Sequence, residues 1–517
     1  MGQWASAVLG FEVHPPRDPA PLDSLVIREP RMDTLPPSSL ADICSSTRLD
    51  RVTHSYGKSY PDLVRGFLGR YPRPPDVVAR PQTESDVAAL LDWCGERKIA
   101  CVPFGGGTSV VGGVEPPEAS GYSGVLTMDL KALNQVVEVD PLSRAARIQG
   151  GTLGPEINRQ LAGHGFELRC FPQSYRYSSL GGWIATRAGG HYATVRTHID
   201  DLVESVRMVT PRGVWESRRV PGSGAGPSPD RMVLGSEGIF GVITEAWVRV
   251  VPPPRFRASA TVQFPHWARA IDGLRAVAQA DLAPSNCRLL DATEARINGV
   301  AGRPVPTLLL GFESDDHPLD AWIERAVALA VGNGGVCDRG PRTRDSAEEA
   351  SDPAANSWRD AFFEGPHLRD VLVSLGVVVD TFETACTWDR FAELDASVRH
   401  AVGETMHRLC GAGTLSCRVT HVYPDGLAPY YTFLCPSPPG AELEIWAELK
   451  KAASDALLAA GGTITHHHGV GRMHREHYAL QQPAGMEAVL RGAKRELDPR
   501  GVLNPGVLIP ANREPVG

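Results

Sequence analysis

Three consecutive glycines at the end of an apolar run constrain this chain more than any other feature. Ile99 to Pro103 reads as a strand, and Phe104-Gly-Gly-Gly-Thr-Ser-Val110 follows it directly. Glycine lets the backbone turn tightly and leaves several N–H groups free to cradle a pyrophosphate without a positive side chain. Thr108 and Ser109 add hydroxyl donors. The spacing is not that of a Gly-x-Gly-x-x-Gly dinucleotide turn, and no Lys follows as in a P-loop. Alone, the tripeptide reads as a plain glycine-rich turn, so its weight depends on its neighbours.

Those neighbours alternate short strands and helices. Asp76 to Arg80 is a strand, and Thr83 is placed to cap a helix whose apolar stripe is Val87, Leu90, Leu91 and Cys94. Further strands are expected at Gly124–Leu130, Val136–Val139, Ser205–Thr210 and Val242–Val250, with Thr210-Pro-Arg-Gly213 as a hairpin turn. Pro252-Pro-Pro254 is the clearest boundary. Beyond it, strands are expected at Thr307–Phe312, Leu372–Asp380 and Thr420–Phe433, and helices at Trp267–Ala280, Leu319–Val331, Glu442–Ala460 and Met486–Leu497. A chain of 517 residues is too long for one core. The expected organisation is an N-terminal wrap (1–70), a first α+β unit (71–254), a second (255–445) and a C-terminal helical segment (446–517).

A net charge of −8 offers no basic surplus for gripping nucleic acid, though one basic pocket for a phosphorylated small molecule is compatible with it. The ten cysteines form no Cys-x-x-Cys pair and suit a reducing cytoplasm. No apolar run is long enough to span a bilayer.

Taken in order, Arg80-Pro-Gln-Thr-Glu-Ser-Asp-Val87, Val102 to Ser109, Gly150-Gly-Thr-Leu-Gly154, Ser179-Leu-Gly-Gly-Trp183 with Arg187-Ala-Gly-Gly190, Asp200-Asp-Leu-Val203 and Gly235 to Thr244 resemble the FAD-binding PCMH domain of vanillyl-alcohol-oxidase-type enzymes. The resemblance implies an α+β, two-domain PCMH-type fold with a separate α+β cap domain. It also implies FAD held by Pro103, Gly105, Gly106, Gly107, Thr108, Ser109, Ser179, Gly181, Gly182, Trp183, Glu237, Gly238, Val242 and Ile243. No His or Cys sits in the first loop, so the flavin is expected to be non-covalent; His191 is the nearest alternative anchor.

The match narrows further along. Ser178 to Arg187, Met208-Val-Thr-Pro-Arg-Gly213, Ala283 to Asp291, Phe382-Glu-Thr384 with Trp388-Asp-Arg390, Cys417-Arg-Val-Thr420 and Gly461 to Gly471 are similar to alkyldihydroxyacetonephosphate synthases. Such enzymes exchange the acyl ester of an acyl-dihydroxyacetone phosphate for an alkyl ether through an adduct at flavin N5. The resemblance places a proton-abstracting role on Tyr430, catalytic roles on Arg288 and on His466, His467 and His468, and substrate-phosphate binding on Arg369. Tyr431 takes the tyrosine role if the register is shifted by one. The three histidines follow a strand-like Thr463-Ile-Thr465 lead, so their rings are expected to alternate between faces and not to share one metal ion. Hydrogen bonding and proton transfer beside the flavin are expected instead.

The sequence departs from the family at Gln173, where a Pro-Asp-Ser aspartate is implicated in activity, and at Arg176, where the family carries an acidic residue. Gln173 hydrogen-bonds but cannot act as a base. The competing reading is an FAD-dependent oxidoreductase of a 2-hydroxy acid or alcohol, in the manner of D-lactate and glycolate dehydrogenases, which share a segment similar to His468-Gly-Val-Gly471. Either way the expected partner is a small molecule, phosphorylated or lipid-like. A cytoplasmic location is expected; peripheral membrane contact and a homodimer are both compatible with this reading.

Overall fold

The computed structural model describes residues 6, 9–118, 121–300, 303–345, 365 and 367–510. Seventeen strands within them form three sheets. The first has four strands in the order β1-β2-β4-β3: β1 (Cys44–Ser45), β2 (Val77–Ala79), β3 (Ile99–Phe104) and β4 (Gly124–Asp129). β2, β4 and β3 run parallel, and their side chains are almost continuously buried. That explains why Ile99 to Phe104 reads as an unbroken apolar run and not as an alternating one.

The helix Glu84–Arg97 feeds β3. It starts on a capping box between Thr83 and Asp86 and stops at Lys98 in the left-handed conformation. The glycine loop follows β3 directly.

The second sheet is antiparallel, in the order β5-β6-β9-β7-β8: β5 (Val136–Asp140), β6 (Ala145–Gln149), β7 (Val203–Thr210), β8 (Gly213–Glu216) and β9 (Val242–Arg249). The β7–β8 hairpin turns at Thr210 to Gly213, as its residue types predict. After Pro252–Pro254 a larger sheet begins. It contains β10 (Phe256–Gln263), β11 (Asn286–Leu290), β12 (Thr307–Ser314), β13 (Arg342–Arg344), β14 (Val377–Glu383), β15 (Cys386–Thr387), β16 (Thr414–Val422) and β17 (Gly426–Pro436). The order is β13-β10-β12-β11-β16-β17-β14, with β15 on β17. Helices Trp267–Ala278, Asp320–Gly332, Phe391–Cys410 and Glu442–Ala459 pack against it through buried aliphatic faces.

Two sequence expectations are corrected here. Residues 367–374 are helical, and the strand expected over Leu372–Asp380 begins only at Val377. Gly376, at φ 71°, makes the turn between them, and Leu372 and Val373 are buried from the helix, so their apolar character did not distinguish the two states. The Thr420–Phe433 run is two strands. Pro424-Asp425-Gly426 breaks it, and Tyr423 and Gly426 close the turn with paired backbone hydrogen bonds.

The N-terminal stretch crosses several of these layers. His14 reaches the carbonyl of Ser437 at 2.9 Å and Arg17 reaches Glu442 at 3.3 Å, while Arg28 pairs with buried Asp76 beside β4.

Candidate functional site: a glycine cradle and a histidine centre

Close backbone contacts bring the glycine-rich segments together. A Cβ at Gly105 would lie 2.2 Å from Ser179 Oγ, and one at Gly106 only 1.8 Å from the Tyr177 carbonyl oxygen. Gly107 has φ 68°. Only glycine satisfies these positions without moving the chain. Ser179 caps the helix Leu180–Thr186, accepting from Gly182 N–H, and Gly181 N–H donates to the Gly150 carbonyl at 2.7 Å. Gly150 N–H in turn donates to Thr244, next to the buried Val242 and Ile243 of β9. Gly238 packs on Pro103, and Trp183 is fixed by its Nε1–H to Ser178 Oγ at 2.7 Å.

Within the loop, Ser109 Oγ accepts from the amides of Val111 and Gly113. The amides of Gly106, Gly107 and Thr108 donate to no protein acceptor among the described residues. Gly106 and Gly107 border a cavity of about 780 Å³ that Lys58 and Lys131 also line. Free amides on a glycine loop beside two cations match the donor set that a diphosphate needs.

Glu237, at φ 49°, is buried, and its carboxylate accepts from Val470 N–H at 2.7 Å and Gly471 N–H at 2.8 Å. It therefore ties the β9 approach to the His468-Gly-Val-Gly471 segment. Burial pushes its pKa up to about 7, against the pull of the two amides.

The histidine segment is organised by Glu383, the last residue of β14. One Glu383 oxygen accepts from Thr465 Oγ1 at 2.6 Å, and His467 N–H and His468 N–H reach the carboxylate at 3.0 and 2.9 Å. His467 Nδ1 lies 3.0 Å from the other oxygen. Burial alone would raise the Glu383 pKa, but the surrounding imidazoles outweigh it and hold the group well below the usual carboxylate range.

The segment is therefore a turn wrapped on a carboxylate, not the expected strand, and its rings converge instead of alternating. His466 Nδ1 is 3.1 Å from His467 Nδ1, and the His467 and His468 rings are 4.7 Å apart. The His198 and His421 rings lie close to His466, tilted against it, at 4.5 and 4.8 Å. Nitrogens of His421, His466 and His467 lie within 4.8 Å of one another, so the alternation argument against a shared ion fails. Hydrogen bonding nonetheless accounts for His466 fully, because its Nε2 is 2.7 Å from the Tyr423 hydroxyl. Burial and the neighbouring imidazoles push His421 and His466 well below the ordinary histidine value, and burial takes His468 down to about 3.

Tyr430 belongs to this centre. Its ring stacks on His467 at 5.9 Å and meets His468 edge-on at 5.4 Å, and its hydroxyl donates to Thr381 Oγ1 at 3.0 Å. The Arg418 guanidinium sits 3.9 Å from the centre of its ring and is itself paired with Glu294 at 2.6 Å. Tyr431 points the opposite way, into the core, where its hydroxyl donates to Asp395 at 2.9 Å and its ring stacks on Phe382. Strand alternation separates the two tyrosines, and of the two only Tyr430 faces the histidines.

Residues 75–217 match the FAD binding domain model, and residues 253–508 match the model of the C-terminal domain of FAD linked oxidases. FAD is the cofactor. Over 503 residues the chain is 30% identical to alkyldihydroxyacetonephosphate synthase of Trypanosoma brucei brucei, covering 94% of this chain and 81% of that protein. The chain belongs to the alkyldihydroxyacetonephosphate synthase family. A solved structure of such a synthase superposes with a TM-score of 0.77 at 25% identity, over 95% of this chain and 88% of that one. The mitochondrial D-lactate dehydrogenase [cytochrome] of Arabidopsis thaliana is 28% identical over 84% of this chain and 74% of its own. The two-domain α+β PCMH-type fold expected from the sequence is thus the one observed.

The remaining family positions are Arg288, Arg369 and Gln173. Arg288, on β11, is fully buried, with Nη1 3.5 Å from His191 Nδ1; burial and the neighbouring Arg418 take its pKa down to about 9. Arg369 lies on the 367–374 helix, donates to the Lys58 carbonyl at 2.6 Å and is near enough to Tyr430 to favour its phenolate. Gln173, where the family has aspartate, faces Gly365 at the edge of the described residues. Sequence reasoning did not single out Glu383, Arg418, His198, His421 or Tyr423. Glu383 and Arg418 lie inside the quoted Phe382-Glu-Thr384 and Cys417-Arg-Val-Thr420 motifs, so a signal for them existed. The other three carry none, because only tertiary contact brings them to His466.

Proposed function

We propose that this protein is an FAD-dependent transferase that exchanges the acyl ester of an acyl-dihydroxyacetone phosphate for an alkyl ether, with a phosphorylated, lipid-like small molecule as its substrate. The carrying observation is that Tyr430 packs against both Arg418 and the Glu383-braced His467. A tyrosine that removes a carbon-bound proton must tolerate a buried negative charge. Burial raises the Tyr430 pKa, and Arg418, the Thr381 hydrogen bond and Arg369 act against that rise. When bound, FAD supplies the nucleophilic ring nitrogen of the exchange.

In this reading residues 71–254 hold the flavin non-covalently, 255–445 cover the substrate, and 446–517 close the centre. Gly105 to Ser109 bind the diphosphate, with Ser179, Gly181, Gly182, Trp183, Glu237, Gly238, Val242 and Ile243 shaping the rest of the cradle. Arg369 binds the substrate phosphate. Arg288 offers charge to a departing carboxylate. His466, His467 and His468 move or hold protons beside the reacting carbon.

The test is to incubate FAD-loaded protein with palmitoyl-dihydroxyacetone phosphate and hexadecanol and to identify the product by mass spectrometry. Ether formation with the flavin left oxidised is expected. The likeness to a D-lactate dehydrogenase supports a second reading, 2-hydroxy-acid oxidation. Anaerobic bleaching of the flavin by D-lactate or glycolate, with no ether formed, would establish that reading in place of the first.

A further inference from the structure

The histidine centre is buried, yet any proton it accepts must reach water. A continuous hydrogen-bonded chain leaves it in one direction. Glu383 Oε2 is 3.0 Å from His467 Nδ1, His467 Nδ1 is 3.1 Å from His466 Nδ1, and His466 Nε2 is 2.7 Å from the Tyr423 hydroxyl. Tyr423 is only half-buried and lines a cavity of about 1000 Å³. Every link is a group able both to give and to receive a proton.

We propose that His467, His466 and Tyr423 form a proton path between the histidine centre and the cavity beside Tyr423, with the Tyr423 hydroxyl as its outer link. One proton enters at His467 and passes to His466 Nδ1. The Nε2 proton of His466 moves to the Tyr423 oxygen as the Tyr423 hydroxyl proton leaves to water in the cavity. No charge accumulates along the way, and one proton emerges for each that enters. Tyr423 acts through His466 and is a positioning residue for proton exchange, not a group that meets substrate. Its use during turnover rests on the transferase reading; the path itself does not.

The experiment uses the full-length, FAD-loaded protein with ¹⁵N-labelled histidine. The exchange rate of the His466 ring N–H with water is measured by NMR in the wild type and in Tyr423→Phe. The relay predicts exchange at least about tenfold slower in the variant, because the outer link is missing. A purely structural Tyr423, covering His466, predicts the opposite: removing its hydroxyl would speed exchange. Unchanged or faster exchange in Tyr423→Phe overturns the proposal. In turnover the same variant should keep KM for the acyl substrate, lose kcat and show a larger solvent deuterium isotope effect. Slow ring exchange in a protein that forms no ether would sink the transferase reading and leave the path standing.

Discussion

The Glu383 carboxylate and the backbone of His467 are fixed to each other: the His467 amide reaches both oxygens, at 3.0 and 3.1 Å, and the His467 ring returns to the same carboxylate. A side chain at the end of β14 thereby sets the path of a segment more than eighty residues later. Glu383→Gln keeps the volume but replaces one acceptor oxygen with a donor. At least one of the amides then faces an NH₂ group, at a cost of about 1–3 kcal/mol. Displacing the rings by an ångström is worth roughly a hundredfold in rate. We therefore expect a melting temperature several degrees lower and ether formation down about a hundredfold. Full activity in Glu383→Gln would show that the carboxylate does not set the triad.

Tyr430 and Tyr431 are neighbours with opposite assignments, so their phenylalanine variants should separate. Tyr430→Phe removes the hydroxyl at the centre and is expected to lower kcat by about 10²–10⁴-fold with little change in stability. Tyr431→Phe leaves Asp395 short of a donor in the core and should cost about 1–2 kcal/mol of stability, with activity near normal. Urea melts and initial rates on the two variants check this. A reversed pattern would place the reacting tyrosine one residue later.

Gly106→Ala tests the cradle. Its added methyl would meet the Tyr177 carbonyl oxygen at 1.8 Å, so either the loop or the 175–179 segment must move. We expect a folded protein with near-normal far-UV circular dichroism and a flavin-to-protein absorbance ratio reduced by about tenfold or more. Wild-type flavin content in this variant would remove the loop from FAD binding.

How far the sequence reaches is visible in these residues. The glycine loop was legible because its requirement is local: turns of this tightness exclude a Cβ, and the amides need no partner from elsewhere. The helix Glu84–Arg97 was legible from its cap and stripe. The histidine centre was legible only as a run of three residues. Its arrangement was not, because a strand-like lead gives no hint that a carboxylate eighty residues earlier will wrap the backbone into a turn and gather His198 and His421 around it. The 372–380 boundary failed for another reason. Leu372, Val373 and Val377 are buried in either secondary structure, and only Gly376 marks the change.

Glu237 gives a pH dependence whose sign follows from its burial. Its pKa is raised from an ordinary 4.5 to about 7, so the folded protein holds this proton more tightly than the unfolded chain does. The stability it contributes is fully present below about pH 4.5 and is lost as pH rises through about 7. A difference of this size is worth on the order of 3 kcal/mol. Glu237→Gln never ionises; its NH₂ group faces one of the Val470 and Gly471 amides, a cost that does not change with pH. The wild type should therefore lose melting temperature relative to Glu237→Gln between about pH 5 and about pH 8. The check is a pair of thermal melts across that range at fixed flavin concentration. A constant difference between the two proteins would mean that Glu237 is ionised throughout, and that its two amide contacts outweigh the burial of its charge.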